Sequence, residues 1–294
     1  MRYLKGCNTR EQLIFPPFHF HFHKWRAVDD GVRGGSSVSH LTPVKIDVQG
    51  QVTGAPELEE SREVFGEKRH NKDDKNMAAR FWGNLDIKTL GGAGFASQAF
   101  WYGPYPLHLP RIRYNGIVIS ALPDPLQATK AGAPCSKKPM EFTFVIKTTP
   151  TSHIPKHPKV PPPPRVAKLT YEVRFTPAQA KNQGKTPGEQ KFYFPWGDFK
   201  ATYRGREVKE GDPKWVPLDA SSIYEVNLMC RSGFGQQEGD FGVVVTGIYA
   251  WEKEEKDQKE TGCWQGVKEW FRYVTGYDVG LKLEESDYEK QFAA

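Results

Sequence analysis

Apolar and polar residues alternate with period two in a series of short stretches along this chain. Val44–Val48, Phe81–Ile87, Glu141–Lys147, Leu169–Phe175, Phe192–Phe199 and Ile223–Met229 each carry that signature, and Ile117–Ile119 adds a short apolar run. Turn chemistry stands between them: Gly50, the run Gly91-Gly92-Ala93-Gly94, Asn115-Gly116, and the glycine-punctuated loop Arg231–Asp240. Phe241–Trp251 differs, because three consecutive valines, Val243 to Val245, leave no polar face. Such a run predicts a strand covered on both sides. Counted this way the chain holds some nine to eleven strands, which predicts an all-β protein, a two-sheet jelly-roll β-sandwich with long loops. One helix is expected near the C-terminus, where Trp264, Val267, Trp270, Phe271 and Val274 recur at three- and four-residue intervals.

Composition sharpens this picture. Hydrophobic residues make up only 38% of 294, yet aromatics reach 13%, so the core is expected to rest on Phe, Trp and Tyr. The 28 glycines and 23 prolines suit turns rather than helix interiors. Residues 57–75, a charged run, and 153–165, a proline-rich run, read as exposed loops within a larger interrupted region, 123–165. The expected organisation is an N-terminal segment (1–24), a sandwich (25–251), and a tail with a charged linker and amphipathic helix (252–294). The +6 net charge is spread along the chain, without the basic stripe of a nucleic-acid binder. Cys7, Cys135, Cys230 and Cys263 lie far apart, with no C-x-x-C or Cys/His zinc spacing, as expected of free thiols in a reducing compartment. The first 25 residues hold one acid, Glu11, against Arg2, Lys5, Arg10 and Lys24, a bias shared with import signals, although Pro16-Pro17 interrupts any amphipathic helix.

The densest chemistry lies in Trp25–Ser39. Asp29 and Asp30 adjoin Arg33, and Gly31, Gly34 and Gly35 free the backbone before Ser36 and Ser37 lead into a strand. The stretch fits neither G-x-G-x-x-G nor a P-loop. Two readings stand: a tight turn fixed by an Asp–Arg pair, or a ligand or partner contact. Upstream, Phe18, Phe20 and Phe22 alternate with His19, His21 and His23. Period two predicts a half-buried strand with a histidine face; a metal-binding row is the alternative, with no fourth ligand nearby. No G-x-S-x-G and no cysteine–histidine frame occurs, and two adjacent acids in a strand would face opposite ways. The expectation is a non-enzyme without cofactor. A partner surface is expected at the block FYFPWGDFKATYRGR, through Trp196, Tyr203, Arg204 and Arg206, since Trp, Tyr and Arg dominate interface energetics. Trp196 and Phe199 also read as core residues at a strand end.

Four blocks in this order, Trp25–Ser39, FWGNLDIKTLGGAGFAS (Phe81–Ser97), Phe192–Arg206 and Ile223–Trp251, resemble the NADH:ubiquinone oxidoreductase (complex I) intermediate-associated protein 30 family. The resemblance implies a galactose-binding-like jelly roll and a mitochondrial chaperone role. The expected partners are complex I assembly intermediates and other assembly factors. The Trp264–Val274 face could make a membrane-surface contact. A carbohydrate- or small-ligand-binding module outside mitochondria is the alternative use of the same fold.

Overall fold

The computed structural model describes residues 11–15, 22–47, 52–54, 77–125, 140–150, 167–177 and 188–252. Among them the chain is a jelly-roll β-sandwich of two seven-stranded sheets in which every strand pair is antiparallel. The first sheet contains β1 (Glu11–Phe15), β3 (Val38–Ile46), β4 (Val52–Gly54), β5 (Met77–Leu85), β7 (Tyr114–Pro123), β10 (Gln190–Pro195) and β14 (Gly239–Glu252). Its order is β10-β7-β14-β5-β3-β4. The second contains β2 (Trp25–Ala27), β6 (Phe95–Trp101), β8 (Phe142–Lys147), β9 (Leu169–Phe175), β11 (Lys200–Tyr203), β12 (Arg206–Glu207) and β13 (Glu225–Arg231). Its order is β12-β11-β9-β8-β13-β6-β2.

β14 is the axis of the first sheet. One edge runs along β7; the other is shared by β5, which takes Gly239–Val245, and β1, which takes Ile248–Trp251. The valine run behaves as its pattern predicts. Val243 and Val245 enter the inter-sheet core, while Val244 joins Val44, Ile46, Ala78 and Leu122 in a second apolar cluster. The core is aromatic as composition suggests: Phe81, Phe142 and Phe241 pack with centroids 5.1–6.3 Å apart, and Phe15, Trp25 and Phe100 form a second knot at 4.9–5.7 Å. Ring pairs in such tilted and edge-on contacts add stability beyond their buried area.

Three expectations change. The described strands outnumber the nine to eleven expected, because β1, β2, β4 and β12 are too short to display alternation. The sandwich begins upstream of Trp25, since β1 pairs with β14. The expected Phe–His strand is interrupted at its end: Phe22–Lys24 form a 3₁₀ turn, and among the described residues of this stretch only Trp25–Ala27 pair with β6. Here the chain passes from the first sheet to the second, a crossing that period-two patterning does not encode. His19 and His21, the loops 57–75 and 153–165, and the Trp264–Val274 helix lie outside the described residues, as do Cys7, Cys135 and Cys263. Cys230 is a free, buried thiol that points into the core.

Candidate functional site

The Trp25–Ser39 motif is resolved in full, and its two carboxylates work as a clasp. Asp29 is extended (φ −91°, ψ 173°) and Asp30 opens a 3₁₀ turn, Asp30–Arg33. The conformational break between them replaces the strand alternation expected of adjacent acids, so both carboxylates reach the same two strands. Asp30 accepts the Ser37 N–H at 3.0 Å, the Ser37 hydroxyl at 2.6 Å and the Phe95 N–H at 3.1 Å. Asp29 repeats the pattern two residues along: the Ser39 N–H at 3.0 Å, the Ser39 hydroxyl at 2.6 Å and the Ser97 N–H at 2.8 Å. Ser39 lies at the start of β3 in the first sheet, next to Val38, and Phe95 and Ser97 belong to β6 of the second. The clasp therefore ties the two sheets together at one end. Gln98 adds to it from inside, donating to the Ser39 carbonyl at 2.9 Å and hydroxyl at 3.0 Å.

The glycines follow from this packing. Gly34 turns the chain out of the 3₁₀ segment at φ +83°. Gly35 lies against Asp30, and a Cβ there would stand 2.3 Å from the carboxyl carbon. Around the clasp, the Ser37 hydroxyl also accepts the Asp86 N–H at 3.0 Å, and Ser36 meets Thr89 at 3.1 Å. The Thr89 hydroxyl and backbone N–H hold the Asp86 carboxyl below its ordinary range. Ser232 closes the far side, accepting the Gly94 N–H at 2.9 Å and donating to the Gly92 carbonyl at 2.8 Å.

The expected Arg33–Asp pair does not form. Both carboxylates are taken by hydroxyl and backbone donors, and the exposed Arg33 guanidinium lies 5.5 Å from the Phe95 ring centroid instead. A charge left near water beside an aromatic face avoids the desolvation that pairing with buried Asp30 would impose. Ser36, the expected site residue, is exposed, and Ser37, read from the sequence only as leading into a strand, is the buried partner. Ser39, Phe95, Ser97 and Ser232 were equally unmarked; only the matching i, i+2 spacing of Ser37/Ser39 and Phe95/Ser97 hints at the clasp.

The second expected site divides. Trp196 is core, donating its indole N–H to the Tyr114 carbonyl at 2.8 Å and packing on Phe199. It is far too buried to be an interface side chain in this state. Tyr203 is half-buried, with Lys214 Nζ at 4.7 Å and Arg204 Cζ at 5.5 Å from its ring. Arg204 and Gly205, at φ +54° and +77°, form the tip of the β11–β12 hairpin, and Arg206 follows on its exposed return strand.

A third polar region covers the outward face of the second sheet. Glu225 is bound by Lys147 at 2.5 Å and Arg26 at 3.4 Å, and Arg231 reaches across β8 to Glu172 at 2.8 Å. Thr202 donates to the same Glu172 at 2.8 Å. Glu225, Glu172, Asn227, Ser97 and Thr143 are all buried on this face, and the hydroxyls of Ser97 and Thr143 have no hydrogen-bond partner. Long charged side chains lying flat across the strands account for burial without apolar cover.

No family model matches the chain. A relative from Schizosaccharomyces pombe, the uncharacterized protein C9E9.15, is 35% identical over 238 residues, 81% of this chain and 82% of the relative. Among solved structures, the family 11 carbohydrate-binding module from Clostridium thermocellum in complex with a β-1,3-1,4-mixed-linked tetrasaccharide superposes with a TM-score of 0.43 at 9% identity. That match covers 83% of this chain and 96% of the module. The solution structure of CtCBM11 gives a TM-score of 0.39 at 10% identity over 79% of this chain and 90% of that one.

Proposed function

The chain belongs to the same family as the fission-yeast protein C9E9.15, and on the four sequence blocks of the resemblance we propose that it is a non-enzymatic binding protein of the complex I intermediate-associated protein 30 type. In this reading it holds complex I assembly intermediates, in company with other assembly factors, at the mitochondrial inner membrane. The observation that carries the non-catalytic part is the clasp. The most reactive-looking residues of the motif, Asp29 and Asp30, spend their lone pairs on Ser37, Ser39, Phe95 and Ser97. A carboxylate so engaged serves poorly as a general base, which must reach the proton it removes. The assembly role rests on the four sequence blocks of the resemblance. Deleting the gene in a cell that makes complex I is expected to lower assembled complex I with its transcripts unchanged. Normal assembly, with the full chain fractionating in the cytosol, would overturn this role.

One observation favours a second reading, a carbohydrate- or small-polar-ligand module. The outward face of the second sheet holds two buried hydroxyls, Ser97 and Thr143, without partners, between ridges of paired charge. Neutral polyhydroxylated ligands suit such polar groups, but both hydroxyls are fully covered, so a ligand reaches them only by displacing the charged side chains above. An oligosaccharide array, with Thr143→Val as the control, separates this reading from the first.

A further inference from the structure

The loop after β13 carries an aromatic ring where folding gives no reason for one. Phe234 is 81% exposed, and its backbone sits at φ +60°. For a non-glycine residue that conformation costs about 1–2 kcal/mol, and the ring recovers none of it by burial. Gly233 and Gly235, at φ +56° and +84°, flank it, so three successive residues are left-handed.

The loop is nevertheless firmly held. Ser232, 2% exposed, bridges it to Gly92 and Gly94 through its hydroxyl, and its carbonyl accepts the N–H groups of Gln236 at 2.8 Å and Gln237 at 3.1 Å. The Gln237 side-chain amide donates to the Arg231 carbonyl at 2.6 Å and the Glu141 carbonyl at 2.9 Å, and its oxygen accepts the Glu141 N–H at 2.9 Å. Strain kept in place by so many bonds around an exposed ring is the pattern of a preorganised contact. Arg33 stands at the same end of the sandwich. It lies over Phe95, whose cross-strand partner is Arg231, and it has no carboxylate partner among the described residues.

We propose that the Phe234 loop, with Arg33 at the same end of the sandwich, is a preformed docking anchor for a partner protein that offers an apolar cleft flanked by a carboxylate. Aromatic and arginine side chains on rigid backbone are the usual energetic centres of protein interfaces. A membrane suits the loop less well. One ring buries little area, and the exposed Glu238 and Asp240 just downstream would be repelled by anionic headgroups. The anchor rests on the binding-protein reading above and names the surface that reading needs, at the clasped end rather than at Trp196.

The test places p-benzoylphenylalanine at position 234 of the full chain, crosslinks in living cells, and maps the crosslinked peptide by mass spectrometry. The captured partner is then purified and titrated with the wild type, Phe234→Gly and Arg33→Ala. The crosslink is expected in an apolar cleft bearing Asp or Glu. Phe234→Gly should weaken binding by about tenfold or more and Arg33→Ala by about threefold. Phe234→Gly should melt no lower than wild type, because glycine is relaxed at this φ. No crosslink, or equal affinity of Phe234→Gly, overturns the proposal; so does a melting point many degrees lower, which would make the ring structural. Pelleting of wild type but not Phe234→Gly with phosphatidylcholine–cardiolipin vesicles overturns it in favour of a membrane. A mapped partner unrelated to complex I keeps the anchor and removes only the assembly role.

Discussion

Replacing Asp30 by asparagine tests the clasp directly, because the side chain keeps its shape and loses one acceptor. Asp30 is 0% exposed, and its two oxygens receive three donors: one takes the Ser37 N–H, the other the Ser37 hydroxyl and the Phe95 N–H. An amide has a single oxygen. In one orientation its NH2 faces the Ser37 N–H; flipped, it faces the Phe95 N–H, and only the Ser37 hydroxyl can rotate to accept. One buried backbone donor is stranded either way, at about 1–3 kcal/mol. The remaining bonds lose their charge-assisted strength, about another 1 kcal/mol. A total near 3 kcal/mol, at about 2–4 °C per kcal/mol for a domain this size, lowers the melting temperature by roughly 6–12 °C. Asp29→Asn should cost less, because Asp29 is only half-buried and water can replace the lost acceptor. Differential scanning calorimetry of both variants decides it. An Asp30→Asn protein melting within about 2 °C of wild type, or an Asp29→Asn protein melting lower than Asp30→Asn, would refute buried hydrogen bonding as the clasp's source of stability.

Gly35→Ala should destabilise by several degrees, since its Cβ would meet the Asp30 carboxyl carbon at 2.3 Å. Combined with Asp30→Ala the losses should fall short of their sum; strict additivity in denaturant melts would show that the two residues do not compete for one space. Arg33→Ala should change stability by less than about 1 kcal/mol, the scale of an exposed cation–π contact; a loss of several kcal/mol by urea titration would restore the ion pair that the geometry excludes. Burial, with Glu141 adding to it, pushes the Cys230 thiol from its ordinary value near 9 up to about 12. The folded chain therefore keeps a proton that the unfolded chain loses between those values, and stability should fall as pH rises through that window. Peptide mapping after iodoacetamide at pH 8 should find Cys230 unmodified until the chain is unfolded.

Local pattern carried much of the architecture. The strands β5, β8, β9, β13 and β14 were legible because each is long enough for one face to repeat, and the valine run announced a strand buried on both sides. Aromatic abundance foretold the kind of core. β1, β2 and β12 left no trace, since two to five residues hold too few alternations and owe their strand character to a neighbour's edge. The Trp25–Ser39 stretch was recognisable as a shaped turn from its glycines and paired acids. Which groups those acids would hold was not: Phe95 and Ser97 stand more than sixty residues away, and Arg33 was the obvious partner by proximity. Only the stacking of two sheets brings β3 and β6 beside Asp29 and Asp30, and burial then favours hydroxyl and backbone donors over a guanidinium that would have to leave water. Phe234 shows the same division, because its glycines marked a turn, while its exposure and strain exist only once Ser232 and Gln237 have fixed the loop.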